Sequence, residues 1–255
     1  TNFPLKIAMQ DVFKSDSSSQ GNLVSRYQGL LRRLRAAEKR FDRPNNSVCL
    51  VAVSKTYPAR DIRTVAQQGQ QDFGENQVRD ALAKFPELGD LNRTWHFIGP
   101  IQSNKCRDIA QNFDWIHSVE RLKIARRLSE LRPVEMEPLN ILLQVNLQNE
   151  ITKAGISPDA VSELAATVLE LPNIRLRGLM AIPAPENDFD RQRSIFSHLR
   201  ELQERTSQQL GISLDCLSMG MTDDLEAAVA EGTTHVRIGT AIFGPRQKRG
   251  TKDPD

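Results

Sequence analysis

The 255-residue sequence has few cysteines and almost no imbalance of charge. Cys49, Cys106 and Cys216 are far apart and odd in number, which argues against a disulfide framework, and no C-x-x-C spacing indicates a metal site. Its 34 basic and 32 acidic residues nearly balance, so we expect no nucleic-acid partner. No apolar run approaches the ~18 residues of a membrane span. These absences favour a protein of the reducing cytoplasm that binds neither membranes nor nucleic acids.

The two ends of the chain differ in composition from its middle. Residues 1–19 contain a serine cluster and lack the apolar region of a signal peptide, so we expect a flexible N-terminal segment. Residues 247–255 are polar and are predicted to form a flexible tail. The intervening residues 20–246 suffice for one domain, since a (β/α)8 barrel typically needs roughly 250 residues and compact versions need fewer.

The middle of the chain alternates short apolar runs with longer amphipathic segments. Eight runs have strand character: Val48–Val53, Asp72–Gly74, Trp95–Ile98, Trp115–His117, Ile141–Val145, Leu176–Ile182, Cys216–Ser218 and Val236–Ile238. Seven segments have helical spacing: Leu23–Phe41, Ala59–Gln68, Asn104–Asn112, Val119–Leu131, Pro158–Leu171, Asp188–Leu210 and Asp223–Ala230. This alternation predicts a parallel sheet whose nearly continuous apolar strands are buried on both faces.

Two architectures fit such an alternation. An open, doubly wound sheet would carry a glycine-rich phosphate loop after its first strand. Here the first strand ends in Ser54-Lys55-Thr56, without glycine. The count of eight strands favours a single (β/α)8 TIM-type barrel, and the open sheet is the alternative.

Lys55 stands at the carboxyl end of the first predicted strand. In a barrel, that end carries the functional site. Partial desolvation there disfavours the ammonium form, and a neutral amine can attack a carbonyl to form a Schiff base. From its position alone, a lysine that simply reaches solvent is an equally good interpretation.

The turns after the last two strands have the composition of an anion site. Gly239 and Thr240 follow the eighth strand, and Ser218-Met219-Gly220-Met221 ends the seventh. Successive backbone amides in such turns bind anions, and barrels often bind phosphate in these two loops. Glycines are also ordinary turn residues, so the pair of turns predicts a phosphate site more strongly than either turn alone.

Arg237 lies within the otherwise apolar eighth strand. An unpaired charge is costly there, so its side chain should face a site or a partner. Because a guanidinium only donates hydrogen bonds, it would keep a pyridine nitrogen that faces it unprotonated. A structural ion pair with Glu75 or Asp72 is the alternative.

Other polar residues also fall at predicted strand ends, namely Asn76, His96, His117 and Asn146. Each alone is better explained as a satisfied strand-end group, whereas together they would line one end of a barrel. Met180 could pack against a cofactor ring, although core packing is the default for methionine. No Ser/His/Asp arrangement and no metal-ligand spacing stand out, so we expect no metal site.

Seven segments, in order, resemble the pyridoxal-phosphate homeostasis proteins, a family of barrels that bind pyridoxal 5′-phosphate (PLP). The similarity covers about residues 20 to 246 and departs from the family at His235 and in the longer N-terminal segment. The matching segments are Val51–Thr56, Phe73–Asn76, Trp95–Lys105, Gln144–Asn146 with Lys153 and Gly155, Arg177–Ile182, Leu217–Met221 with Asp224–Ala228, and Val236–Gly244.

The resemblance implies the barrel of the alanine-racemase N-terminal domain, which is PLP fold type III. Lys55 would carry PLP as a Schiff base, Arg237 would face the pyridine nitrogen, and the turns after the last two strands would hold the phosphate. The implied cofactor-binding residues are Lys55, Asn76, Met180, Ser218, Met219, Gly220, Arg237, Gly239 and Thr240.

Three functions are compatible with a Schiff-base lysine. The resemblance implies a non-catalytic PLP carrier and regulator of vitamin B6 and amino-acid homeostasis, with apo PLP-dependent enzymes as partners. The alternative is a PLP-dependent amino-acid racemase, which needs a second acid/base on the opposite substrate face. Eleven residues follow Gly244, so we expect no second domain, a cofactor face open to solvent and a monomer. An aldolase that uses Lys55 alone would need no phosphate turn paired with an arginine.

Overall fold

The computed structural model describes the main chain of residues 5–148 and 153–245, with side chains from residue 20 onward. Eight parallel strands close into a barrel in sequential order, with the last strand paired to the first. They are β1 (Cys49–Val53), β2 (Asp72–Glu75), β3 (Thr94–Phe97), β4 (Trp115–Val119), β5 (Leu139–Val145), β6 (Ile174–Ala181), β7 (Cys216–Ser218) and β8 (His235–Ile238). The predicted barrel is confirmed, and the open sheet is wrong.

Helices follow the strands and pack around the barrel. Within the described residues they are α1 (Leu5–Arg40), α2 (Ala59–Ala66), α3 (Val78–Lys84), α4 (Cys106–Asn112), α5 (Leu122–Leu131), α6 (Val161–Leu169), α7 (Phe189–Leu210), α8 (Leu225–Ala230) and α9 (Thr240–Phe243). Short 3-10 turns lie at Phe85–Leu88, Ser103–Lys105 and Pro158–Ala160. Across these same residues, no helix has both the length and the apolar character that crossing a membrane demands.

Two helices were not predicted, and one begins earlier than predicted. The four residues of α9 make about one helical turn, too few to show a period of apolar residues, and α3 spans seven residues. The main chain of α1 begins at Leu5 rather than Leu23 and passes through the serine cluster. The side chains of residues 5–19, residues 1–4 and the tail 246–255 lie outside the described part, so the predicted flexibility of both ends remains a prediction.

Successive residues of each strand alternate between the helix-covered face and the barrel interior. On β1, Leu50 and Ala52 belong to the main hydrophobic core beneath the helices. Val51 and Val53 are also buried, and their methyl groups lie beside the position that a Cβ on Gly74 would occupy. Burial on both faces explains why the strands read as continuous apolar runs.

A bulge on β6 closes the amino-terminal end of the barrel. Ile141 pairs with Leu176 but Leu142 pairs with Gly178, so Arg177 is an extra residue on β6. The Arg177 guanidinium lies 4.8 Å from the ring centroid of Trp115 and 2.6 Å from the Asp215 carboxylate. The bulge therefore places a stacked, ion-paired arginine across this end of the interior.

The bulge predicts a sharp steric requirement at Gly178. A Cβ there would overlap the Cys216 carbonyl oxygen and lie 2.6 Å from Gln203 Oε1. We expect Gly178→Ala to lower the free energy of unfolding in urea by about 3 kcal/mol, since β6 and β7 would have to separate. Gly29→Ala, inside α1, is the control and should raise it by about 1 kcal/mol. Equal stability of Gly178→Ala and wild type would contradict this reading of the bulge.

Candidate functional site

A cavity of about 270 Å³ opens at the carboxyl ends of the strands. This volume is close to the lower end of the roughly 300–1,000 Å³ range of small-molecule sites. The lining residues are Val53, Lys55, Asn76, Ile98, Gly99, Pro100, Ile182, Met221, Thr222, Arg237, Gly239 and Thr240. Five of the nine sequence-predicted site residues are among them: Lys55, Asn76, Arg237, Gly239 and Thr240.

The cavity has a positive electrostatic character. Among its lining residues only Lys55 and Arg237 are charged side chains, and both are basic. Two cations around a small cavity favour an anionic ligand. Within the described chain, no cluster of three or more His, Cys, Asp or Glu could hold a metal ion. The site therefore has the electrostatics of an anion site.

Lys55 emerges from β1 through a strained backbone turn. The next residue, Thr56, has φ 71°, a conformation that is a true outlier for a β-branched residue. Such strain persists only where surrounding contacts impose it, and it concentrates at functional sites. Tyr57 supplies one such contact, since its ring lies 4.8 Å from that of Phe243 and its hydroxyl donates to the Gly244 carbonyl at 2.5 Å.

A buried ion pair fixes the residue before Lys55. The Ser54 hydroxyl donates to Glu75 Oε1 at 2.6 Å, and Lys84 Nζ donates to the same oxygen at 2.5 Å and to the Ser54 carbonyl at 3.1 Å. Burial raises the pKa of Glu75 above its ordinary value, against the attraction of Lys84. Helix α3 thus holds the end of β1 in place through Lys84.

Arg237 carries its charge into the barrel interior without a salt bridge to any described residue. Its side chain is 5% exposed; Nη1 donates to the Ser218 hydroxyl at 2.6 Å and Nη2 to the Ala181 carbonyl at 3.1 Å. Burial lowers the pKa of Arg237 to about 10. The alternative ion pair is wrong, because Glu75 pairs with Lys84 and Asp72 with His96.

The turns after β7 and β8 converge on one side of the cavity. Gly239 precedes the first residue of α9, Thr240, and Thr222 faces the same cavity from the turn after β7. The first N–H groups of a helix have no intrahelical acceptor. A Cβ on Gly239 would lie 3.0 Å from the Val53 carbonyl oxygen, so glycine permits the close approach of this turn to β1. These turns offer amide and hydroxyl donors to an anion.

Close backbone contact also shapes the opposite side of the cavity. A Cβ on Gly99 would overlap the carbonyl oxygen of Asn76, so the turns after β2 and β3 touch through their main chains. Glycine at this position lets Asn76 stand at the cavity wall. Asn76 therefore lines the cavity, and its contact with a ligand remains a prediction.

The remaining predicted residues do not line the cavity. Met180 is fully buried and packs with Leu142 and Cys216 inside the barrel. The Ser218 hydroxyl accepts from Arg237, the Met219 N–H donates to the His235 carbonyl at 3.2 Å, and the Gly220 carbonyl accepts from the Arg237 N–H at 3.0 Å. These residues lie behind or beside Arg237, and their contact with a ligand remains a prediction.

His96 and His117 lie in the barrel interior rather than at its mouth. His117 is the middle residue of β4, and both rings are fully buried. Burial lowers the pKa of His117 well below its ordinary value, and it lowers that of His235 to about 3. The expectation that both histidines line the site is therefore wrong: β4 runs two residues beyond His117, and His96 lies within β3 with its ring in the interior.

Apolar residues at the mouth were missed by sequence reasoning. Ile182 and Met221 line the cavity and are 42% and 39% exposed. Ile98 and Pro100 complete the same wall. Their one available signal was position, since Ile98 and Ile182 end predicted strands and Pro100 and Met221 follow predicted strands within three residues. Aliphatic residues carry no chemical mark that separates a cavity wall from core.

Comparisons with known proteins place the chain among similar sequences and folds. The model of the alanine racemase N-terminal domain matches residues 27–247. A curated relative from Pseudomonas aeruginosa, named pyridoxal phosphate homeostasis protein, is 54% identical over 214 residues, covering 84% of this chain and 91% of the relative. The similarity thus spans nearly all of that protein.

Solved structures show the same fold. PipY of Synechococcus elongatus, solved with PLP bound, superposes with a TM-score of 0.73 at 38% identity, covering 82% of this chain and 98% of PipY. Alanine racemase from Corynebacterium glutamicum superposes with a TM-score of 0.63 at 14% identity, covering 88% of this chain and 63% of the racemase. The second likeness concerns the fold alone.

The buried histidines predict a marked pH dependence of stability. Below pH ~6.5 the unfolded chain takes up protons at His117 and His235 that the folded barrel excludes, so stability falls with falling pH. Each excluded proton contributes about 1.4 kcal/mol per pH unit, and above pH ~6.5 this contribution vanishes. In urea titrations between pH 6 and 4.5, His235→Gln should flatten the slope by about that amount. The exposed His198→Gln should leave it unchanged; an unchanged slope in His235→Gln would contradict the burial argument.

Proposed function

The chain belongs to the family of pyridoxal phosphate homeostasis proteins, and on that premise we propose that it binds PLP in the cavity at the carboxyl ends of its strands. It serves as a PLP carrier and regulator in intracellular vitamin B6 and amino-acid homeostasis. The observation that carries this proposal is the pairing of Lys55 and Arg237 in one cavity without a lining carboxylate. PLP has a group that fits each part of this cavity: an aldehyde for the Lys55 amine, a ring nitrogen for the Arg237 guanidinium and a phosphate for the turns after β7 and β8.

The two cations have different parts in this proposal. Lys55 holds PLP covalently, since its amine condenses with the aldehyde and releases one water. Arg237 donates a hydrogen bond to the ring nitrogen. A guanidinium keeps its proton, so it leaves that nitrogen unprotonated and weakens the ring as an electron sink. PLP itself supplies the aldehyde chemistry; the chain supplies the anchor and a donor that restrains catalysis.

The phosphate is held by the turns after β7 and β8. Gly239 and Thr240 offer donors directly at the cavity, with Ser218, Met219 and Gly220 immediately behind them. Barrels often bind phosphate at this place. Asn76, on the opposite wall of the cavity, would face the ring, and Met180, buried with Leu142 and Cys216, would lie below it in the barrel interior.

A carrier suits the site better than a racemase. Two-base racemization needs a second group that exchanges a proton on the opposite face of the substrate. Among the described lining residues, Lys55 is the one side chain with an acid/base function suited to that step. Thr240, Ile182 and Met221 are exposed at the mouth, so water reaches the site. Such a site suits release of PLP to an apo PLP-dependent enzyme.

The same proposal includes a compartment and an oligomeric state. The three cysteines are free thiols, which suits a reducing cytoplasm. All eight strands of the closed barrel pair with two neighbours, so the described residues leave no sheet edge for association. We therefore propose a cytoplasmic monomer, and sedimentation measurements test its mass.

Lys55→Ala tests the covalent anchor. We expect the variant to lose the PLP adduct that borohydride fixes in the wild type, and its PLP affinity to fall at least about tenfold. Mass spectrometry of the reduced protein and equilibrium dialysis measure the two effects. Lys123→Ala, at an exposed site on α5, is the matched control and should retain both. A fixed adduct of undiminished yield in Lys55→Ala would exclude this lysine as the anchor.

Transfer and exchange assays separate carrier from racemase. PLP-loaded protein mixed with an apo PLP-dependent enzyme should activate that enzyme, and Lys55→Ala prepared identically should not. Incubation with alanine in deuterated water should leave the Cα proton in place. Rapid Cα exchange by the wild type would overturn the carrier proposal in favour of the racemase.

A further inference from the structure

Polar side chains cross the barrel interior in an unbroken hydrogen-bonded series. Arg237 Nη1 lies 2.6 Å from Ser218 Oγ, which lies 2.7 Å from His117 Nδ1. His117 Nε2 lies 2.9 Å from His96 Nδ1, and His96 Nε2 lies 2.9 Å from Asp72 Oδ1. We name these five residues the trans-barrel chain. It joins strands β8, β7, β4, β3 and β2.

The trans-barrel chain connects the opposite charges of Arg237 and Asp72, which do not touch. Ser218, His96 and His117 are fully buried, and Arg237 is nearly so. The Asp72 side chain, at the other end, is 30% exposed. Although burial works to raise it, the pKa of Asp72 lies below its ordinary value, because His96 donates a hydrogen bond to it. The carboxylate whose attraction raises the pKa of Arg237 is that of Asp224, so Asp72 is joined to the guanidinium through this hydrogen-bonded series alone.

With both imidazoles neutral, the chemistry of the two ends fixes the direction of every bond. Arg237 can only donate, and an ionised Asp72 can only accept. His96 then carries its proton on Nε2, so its Nδ1 accepts from His117 Nε2–H. His117 Nδ1 accepts in turn from the Ser218 hydroxyl, whose oxygen accepts from Arg237. Each donor then meets one acceptor, and both imidazoles carry their proton on Nε2.

The surroundings of the trans-barrel chain favour neutral imidazoles. The His235 ring lies 6.1 Å from that of His96 and 5.9 Å from that of His117, and Trp115 stacks on His96 at 5.7 Å. Burial lowers the pKa of His117 and of His235, as do the neighbouring histidines and Arg237. Arg177 also lowers the pKa of His235, while Asp72 raises it. A proton on His117 would put a second buried cation beside Arg237, so the directed series persists at neutral pH.

We infer that His96 and His117 are positioning residues of Arg237, which orient the Ser218 hydroxyl from Asp72 across the barrel and so hold the guanidinium toward the cavity. This inference rests on the proposed function, in which Arg237 meets the PLP ring nitrogen. The histidines touch no ligand; they act through Ser218. Without them the Ser218 hydroxyl has no acceptor on His117 and can rotate, which leaves the Ala181 carbonyl as the fixed main-chain acceptor of the guanidinium.

The unliganded protein provides the first test, which is independent of PLP. Nitrogen-15 spectra of the imidazoles should show the Nε2–H tautomer for His96 and His117 at pH 7.5. The Arg237 guanidinium should give slowly exchanging N–H signals with restricted rotation. An Nδ1–H tautomer or an imidazolium at either histidine would overturn the inference, even if PLP binds as proposed.

Matched substitutions provide the second test. His117→Leu breaks the chain, whereas His235→Leu removes a neighbouring buried ring whose hydrogen bond goes to Thr234 instead. We expect His117→Leu to average the Arg237 signals and weaken PLP about tenfold, with inorganic phosphate affinity unchanged. His235→Leu should change PLP affinity less than about twofold. Equal loss in both variants, or none in His117→Leu, would refute the inference.

Rescue separates positioning from folding. His117→Gln can accept from Ser218 and donate to His96, so it should restore the slow Arg237 signals and PLP affinity to within about threefold of wild type. If His117→Leu fails to fold, His117→Gln and the wild-type spectra still decide the question, because fast guanidinium rotation in both would contradict it. Failure of the wild type to bind PLP would instead contradict the proposed function. The spectra would still test the trans-barrel chain.

Discussion

The buried charge of Arg237 is the constraint around which the interior of this barrel is organised. A guanidinium taken out of water costs several kcal/mol unless its donors are satisfied and its charge is balanced. Here its satisfied donors meet the Ala181 carbonyl and the Ser218 hydroxyl, which belong to two neighbouring strands. The cation is therefore located by the sheet itself, and little reorganisation is needed when an acceptor arrives in the cavity.

The fold was predictable because one physical pattern governs all eight strands. Strands buried on both faces read as continuous apolar runs, and amphipathic segments between them mark the covering helices. Short elements gave no such pattern, as α3 and α9 illustrate. The bulge at Arg177 was also invisible, since it depends on the register between two strands rather than on the composition of either.

The candidate site was predictable where chemistry and position coincide. Lys55, Arg237 and Gly239 are chemically distinctive residues at strand ends, and a barrel brings all strand ends together. His117 shows the limit of this reasoning, because a strand longer by two residues moves its ring from the mouth to the interior. The partnership of Ser218 with Arg237 needs the pairing of distant strands, which no local pattern reveals.

The stacked side chains of Arg177 and Trp115 make the two ends of the barrel differ in their access for a ligand. With the amino-terminal end occupied by that pair, the described opening to the interior is the one at the carboxyl ends. A ligand would then enter and leave by this one described opening, which Ile182 and Met221 line. A second ligand could then enter only after the first had left through the same opening, so exchange between two ligands would pass through the empty protein.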